Sequence, residues 1–376
     1  MRRSTMSRSI HPDFWRKAGD SKVREIARCY GRVSRCRICG SLELAPKFRV
    51  AFPDFGPNAS HAWPIGLEPP VPYWNIYGCG RCGVHFPNPM PTADEVYEYY
   101  ANQQDYDEWE EAFYVADTPD RQHYWSRFAE KLTRLNGGSG RLLEIGPAAG
   151  HLLHAAREQG WSVVGIEAAP KFGKILRRRG IPTHQGLLET FSCKGQFDLI
   201  VMLDVLEHLN DPIGDLERCR RLLTSNGRVV IATCDIGSVA ARYYGLKWRQ
   251  LVISHTFYWT KASIQVALGR AEFDLVQLSS VRWWDPERPL ERRQHRKEFG
   301  KLLVRKAVQL TWLPVTRRSR LAHTFQSTFR DGRLDYWMTH KLGDQTVMSD
   351  VVLAVARSRG FAAGADLPDH RASPKV

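Results

Sequence analysis

Arg141-Leu-Leu-Glu-Ile-Gly-Pro-Ala-Ala-Gly150 decides how this chain folds. Leu142, Leu143 and Ile145 read as a buried strand, the small residues that follow as a tight turn, and His151-Leu-Leu-His-Ala-Ala as the opening of a helix. Gly146 permits a positive φ, while Ala148, Ala149 and Gly150 keep side chains away from a ligand resting on the helix N-terminus. A strand, turn and helix of this kind suit a nucleotide-sized ligand. Downstream, Trp161-Ser-Val-Val-Gly-Ile-Glu167 reads as a second buried strand ending in a carboxylate. It lies about 20 residues past the glycine turn, where doubly wound folds place the acid that holds a ribose. Glu167 is the candidate ribose ligand.

Dinucleotides and S-adenosylmethionine both use this layout, and Glu144 separates them. A carboxylate two residues before Gly146 would repel a diphosphate, but it complements the ammonium and sulfonium charges of S-adenosylmethionine. The pattern is Glu144-x-Gly146-x-Ala148-x-Gly150, not Gly-x-Gly-x-x-Gly. At these residues the chain resembles the class I S-adenosylmethionine-dependent methyltransferases, with Ala148 in place of the middle glycine.

From Arg141 onward, strands and helices alternate as a doubly wound sheet requires. A weak third strand falls near Ile181-Pro-Thr-His-Gln-Gly, and Phe197-Asp-Leu-Ile-Val-Met-Leu-Asp204 is a clear fourth. Asn226-Gly227 turns into a fifth at 228–234, Phe273 begins a sixth, and Val351-Val-Leu-Ala-Val-Ala is the last. The ligand crevice of such a sheet lies at the carboxyl ends of its strands, so Asp204 and Val205 face the methyl donor. His208 is a candidate base or, with Glu207, a divalent-metal contact; the structural alternative is that both cap and brace their loop. Cys219 and Cys234 read as buried small residues.

The other chemical signal is a pair of knuckles, Cys36-Arg-Ile-Cys39-Gly40 and Cys79-Gly-Arg-Cys82-Gly83. Four thiolates at this spacing point to one tetrahedral zinc, structural because no coordination position is left for water. The residues between the knuckles, rich in Pro and aromatics (Phe52, Phe55, Trp63, Trp74), read as a loop without regular structure. Thr92 and Glu95 form a capping box for a following helix, and Thr118-Pro119 starts another with Trp125, Phe128, Leu132 and Leu135 on one face.

The net charge of +14 is concentrated in residues 1–35 and 287–320, leaving the rest near neutral. Basic flanks are compatible with nucleic acid, an anionic membrane surface or a phosphorylated partner. No run of 18 apolar residues spans a membrane and no secretory signal opens the chain, so a cytoplasmic location is expected. The expected organisation is a basic tail (1–30), a zinc-binding module (31–92), a helical connector (93–135) and the methyltransferase core (136–282). A basic helical insertion (283–346), the last core strand (347–358) and a disordered tail (359–376) follow.

The cysteine pairs and Pro-rich strap ahead of the glycine turn resemble the zinc-binding front end of methyltransferases from bacterial sugar, polysaccharide and natural-product pathways, over residues 36–282. That resemblance implies an α/β fold with a doubly wound (Rossmann-like) seven-stranded sheet, its last strand antiparallel, a small N-terminal zinc module and a helical insertion before the last strand. It also implies adenine contacts at Leu187 and Leu188. The segment from Trp248 through His255 to Tyr258 would lie over the acceptor pocket, making His255 a general base with a pKa near working pH. Sugar C-methyltransferases with this front end carry a further large domain, whereas about 95 residues follow the sixth strand here. The expected reaction is therefore transfer of methyl from S-adenosylmethionine to a hydroxyl of a small-molecule or glycan acceptor, with His255 first and His208 second as the base. An RNA-binding protein or RNA methyltransferase is the alternative. A membrane-surface role for the basic helix at 296–313 is a weaker reading.

Overall fold

The computed structural model describes residues 33–51, 73–101, 114–281 apart from positions 249 and 253, and 350–359. The expected basic tail, basic insertion and disordered C-terminal tail lie outside the described residues, apart from Arg359.

Strands β1 (Leu44–Ala51), β2 (Tyr73–Cys79) and β3 (His85–Pro87) form an antiparallel three-stranded sheet. The chain after Cys39 is thus a strand pair, with Trp74 inside β2, and not irregular throughout as its composition suggested. Main-chain pairing with β2 supplies the order that local sequence did not. Helices α1 (Ala93–Ala101) and α2 (Pro119–Asn136) lead into the larger sheet. There the order is β4 (Arg141–Ile145), α3 (His151–Glu158), β5 (Ser162–Glu167), α4 (Pro170–Arg178), β6 (Thr183–Gln185) and β7 (Phe197–Leu203). Then come α5 (Pro212–Leu222), β8 (Leu223–Cys234), α6 (Val239–Tyr244), α7 (Lys261–Arg270), β9 (Phe273–Val281) and β10 (Val351–Ser358).

The spatial order is β6-β5-β4-β7-β8-β10-β9. β10 runs antiparallel to both neighbours, while β4, β5, β6, β7 and β8 pair in parallel. Residues 351–356 are all buried, which is why an unbroken apolar run fits between two strands and not at an edge. On either side of the β4–β7 pair the chain winds outward in opposite directions, opening the crevice in which doubly wound folds bind ligands.

The helix ends follow local chemistry. Thr118 accepts the Arg121 N–H at the start of α2, whose Phe128, Ala129 and Leu132 are buried. Thr260 and Ser263 form a capping box at α7. Asn226-Gly227 does not open the fifth core strand, because β8 starts at Leu223. Its pairing jumps from Phe197–Leu223 to Leu199–Arg228, so the Asn-Gly pair lies in an irregularity within the strand.

The cysteine module shares its core with the larger sheet. Ile38, Val84, Phe86 and Met90 belong to one buried cluster with Leu206, Phe257, Trp259 and Ile264.

Candidate active site and cysteine cluster

A cavity of about 650 Å³ opens along the carboxyl ends of β4, β5 and β7. Glu144, Gly146, Ala148, Glu167, Leu187, Asp204, Val205, His208 and His255 all line it. The sequence separates these residues by as many as 111 positions from first to last, and the sheet brings them to one wall. Gly150 stands behind the wall: it adopts φ 76° as the N-cap of α3, and a Cβ there would meet Leu176 and Ile181. Gly146 has φ 66°, and a Cβ on it would approach Val205 Cγ2 at 2.7 Å. Ala148 takes the left-handed conformation too, at φ 48°, where an L-residue is strained.

Glu167 ends β5 with its carboxylate turned onto the glycine loop. Oε2 accepts the Ala148 N–H at 3.0 Å and Oε1 accepts the Ala169 N–H at 2.8 Å. Each oxygen keeps lone-pair capacity for a further donor. Burial pushes its pKa up to about 7, against those two hydrogen bonds. Glu144 is also buried, and burial together with the neighbouring Glu167 charge pushes it up to about 8. Its Oε2 has no hydrogen-bond partner among the described residues. A buried, unsatisfied carboxyl oxygen in this wall is costly unless a donor or cation reaches it, which is the environment an amino group would complete.

The histidines meet across the crevice from two loops. The rings of His208 and His255 stand edge to face with centroids 4.7 Å apart, and Tyr100 packs edge-on to His208 at 6.1 Å. His208 Nδ1 lies 3.0 Å from the Ser254 carbonyl oxygen. An Nδ1–H donated there leaves Nε2 with its lone pair. Burial lowers the His208 pKa to about 4 and holds His255 well below the ordinary histidine value, with the neighbouring His208 adding to the shift. The expectation that His255 titrates near working pH is corrected by this: burial of the rings in the cavity wall disfavours the charged form, so both imidazoles are neutral at pH 7.

Glu207 braces the same assembly. Its main-chain oxygen accepts the N–H groups of Thr256 at 2.8 Å and Phe257 at 3.0 Å, and its Oε2 accepts the Thr233 hydroxyl at 2.8 Å. Glu207, His208 and His255 each bring one ligand atom within 4.8 Å of the others, so the trio also satisfies the spacing of a divalent-cation contact.

Sequence reading missed several cavity residues. Tyr100, Tyr124, Trp125 and Phe128 give it an aromatic side, and Arg121 faces it from the first turn of α2. The amphipathic face of α2 was legible, but nothing in its spacing told a core-packing aromatic from a cavity-lining one.

The four cysteine sulfurs lie within 4.8 Å of one another, Cys36 to Cys82 at 3.6 Å and Cys39 to Cys79 at 3.4 Å. A tetrahedral zinc with bonds of about 2.3 Å separates its sulfurs by roughly 3.8 Å, so the donor set fits. Gly40 and Gly83 have φ 74° and 78°, the conformation each knuckle turn needs. Their N–H groups donate to the Cys36 and Cys79 carbonyls at 2.8 and 3.0 Å.

Residues 119–278 match the family profile described as "Methyltransferase domain". Among curated proteins, the ubiquinone biosynthesis O-methyltransferase of Xanthomonas oryzae pv. oryzae (strain PXO99A) is 24% identical over 184 residues, 45% of this chain and 77% of that protein. The enzyme of the same name from Cereibacter sphaeroides (strain ATCC 17025 / ATH 2.4.3) is 32% identical over 117 residues, 29% of this chain and 47% of that one. A solved structure, N-methyltransferase NodS from Bradyrhizobium japonicum WM9 in complex with S-adenosyl-l-homocysteine, aligns at 15% identity with a TM-score of 0.40, covering 70% of this chain and 98% of that one. The chain carries a class I S-adenosylmethionine-dependent methyltransferase domain. It is a methyltransferase with a seven-stranded mixed sheet.

Proposed function

We propose that this enzyme methylates a hydroxyl group of a small acceptor, and that His255, seconded by His208, takes the hydroxyl proton. The observation that carries the reading is the neutral histidine pair at the wall of the cofactor crevice. When bound, S-adenosylmethionine supplies the sulfonium methyl. Glu144 takes its ammonium group, Glu167 its ribose and Leu187 its adenine, while the backbone at Gly146, Ala148 and Gly150 makes room for it beside Asp204 and Val205. Bound there, S-adenosylmethionine would offer its methyl to the acceptor oxygen and leave as S-adenosylhomocysteine, and His255 or His208 would take the hydroxyl proton on an imidazole nitrogen. Alignment and exclusion of water do most of the work and can supply on the order of 7 kcal/mol. An alcohol needs this help at pH 7, whereas an amine does not.

The aromatic side formed by Tyr100, Tyr124, Trp125 and Phe128 supports an acceptor whose hydroxyl is carried on an apolar or aromatic frame. That agrees better with natural-product chemistry than with a bare glycan. Cys36, Cys39, Cys79 and Cys82 hold one structural zinc in this reading, and the domain boundaries are those drawn from the sequence. No helix among the described residues is long and apolar enough to cross a membrane, and we place the enzyme in the cytoplasm.

Calorimetry with S-adenosylhomocysteine tests the cofactor assignment. A screen with a methyl-labelled donor over hydroxylated aromatics, glycosides, amines and RNA then tests the acceptor. Label in RNA alone would replace this proposal with the nucleic-acid reading. If His255→Ala and His208→Ala both bind S-adenosylhomocysteine and both turn over at the wild-type rate, neither is the base.

A further inference from the structure

Two separate links join the cysteine cluster to the histidine pair. Arg37, between Cys36 and Ile38, donates from Nη1 to Asn210 Oδ1 at 2.7 Å and to the Asn210 main-chain oxygen at 3.1 Å. Asn210 lies two residues past His208, and its Nδ2–H in turn donates to the Pro91 carbonyl at 2.7 Å. On the other knuckle, His85 lies three residues past Cys82 and exchanges both main-chain hydrogen bonds with Tyr258, at 2.9 and 2.7 Å. Tyr258 lies three residues past His255. Arg270 adds a bond to the Ile38 carbonyl at 2.8 Å, and the Thr260 hydroxyl one to the Cys82 carbonyl at 3.5 Å. Each histidine loop is therefore pinned to its own side of the cysteine cluster, and the Glu207 carbonyl joins the two loops to each other. The turn at 146–150 is held differently, by the Glu167 carboxylate.

We infer that the cysteine module positions the histidine pair: metal at Cys36, Cys39, Cys79 and Cys82 fixes, through Arg37–Asn210 and His85–Tyr258, the loops carrying His208 and His255. The inference rests on the zinc and general-base readings above and adds a division of labour to them. Metal occupancy sets the acceptor side of the site and leaves the cofactor side alone. The physical ground is that without an ion the two knuckles are joined only by the main-chain pairing of β1 with β2 and by weak sulfur–sulfur contacts, and a site assembled by metal loosens where its ligands are attached. A displacement of about 1 Å in a catalytic group can cost roughly a hundredfold in rate, so the links matter although each bond is ordinary.

The test uses the full-length protein purified without chelators, its zinc measured by elemental analysis and then stripped by a chelator. Three quantities are read before and after: amide hydrogen exchange at Thr256, Phe257 and Tyr258, the ring resonances of isotope-labelled histidine, and the affinity for S-adenosylhomocysteine. Stripping should speed exchange at those amides by at least about tenfold and shift the His208 and His255 signals. The S-adenosylhomocysteine Kd should stay within about threefold, and added zinc should reverse the changes. Arg37→Ala, an exposed substitution that leaves every cysteine in place, should retain zinc and still shift the His208 resonance; Arg37→Lys should restore it in part. Zinc-bearing protein whose loops and ring signals ignore the metal overturns this inference alone, as does a loss of S-adenosylhomocysteine affinity that matches the loosening. Native protein free of zinc overturns it together with the zinc reading.

Discussion

His208 and His255 come from different loops and meet edge to face with ring centroids 4.7 Å apart, both neutral because burial disfavours the charged imidazole. Their folded pKa values lie below the unfolded one near 6.5. Between the two values the unfolded chain binds more protons than the folded one, so stability falls as the pH drops below about 6.5 and the loss is complete once the folded rings protonate. A base that is already neutral gives a rate that does not decline between pH 8 and 6 for want of deprotonated imidazole. A pH profile of kcat on the identified acceptor checks this, and an acidic limb with a midpoint near 6.5 would contradict it.

Glu144 should couple cofactor binding to proton release. In the empty site burial keeps it protonated up to a pH of about 8, whereas an ammonium group bound against it favours the carboxylate. Affinity for S-adenosylhomocysteine should therefore rise with pH, by up to about tenfold per unit, and level off above pH 8. Titration calorimetry in buffers of different ionisation enthalpy counts the proton, and Glu144→Gln should abolish both the proton release and the pH dependence.

Glu167→Ala should cost more than a ligand contact. The side chain also satisfies the Ala148 and Ala169 N–H groups, and losing it leaves two loop donors without their acceptor. We expect S-adenosylhomocysteine affinity to fall at least about tenfold and stability to drop by about 1–3 kcal/mol, measured by calorimetry and denaturant unfolding. Glu130→Ala, at an exposed residue paired with Arg134 on α2, should change neither measurably.

Ala148→Gly should stabilise the protein or leave it unchanged. The left-handed backbone costs an L-residue roughly 1–2 kcal/mol, and the extra freedom glycine gives the unfolded chain takes back about 0.5–1 kcal/mol of that gain. Gly146→Ala should do the reverse, because the new methyl meets both a positive φ and the Val205 side chain. Thermal unfolding of the two variants should show a Tm at or above the wild type for the first and clearly below it for the second.

Much of this molecule was legible along the chain because it is written locally. The apolar run before Gly146 and the positions of Glu144 and Glu167 follow from turn chemistry and short-range periodicity. So do the Thr118 cap and the cysteine spacing, and the structure places each of these where its neighbours in sequence dictate. Tertiary structure alone decided the rest. It paired residues 44–51 with β2, joined the cysteine module to the same buried cluster as Phe257 and Trp259, and turned the carboxylate of Glu167, read from the sequence only as a ribose ligand, onto the 146–150 loop. It also lowered the pKa of His255, which sequence reading set near neutrality. Burial, the main cause of that shift, is the sum of contacts from residues far apart in the chain, and no local pattern records it.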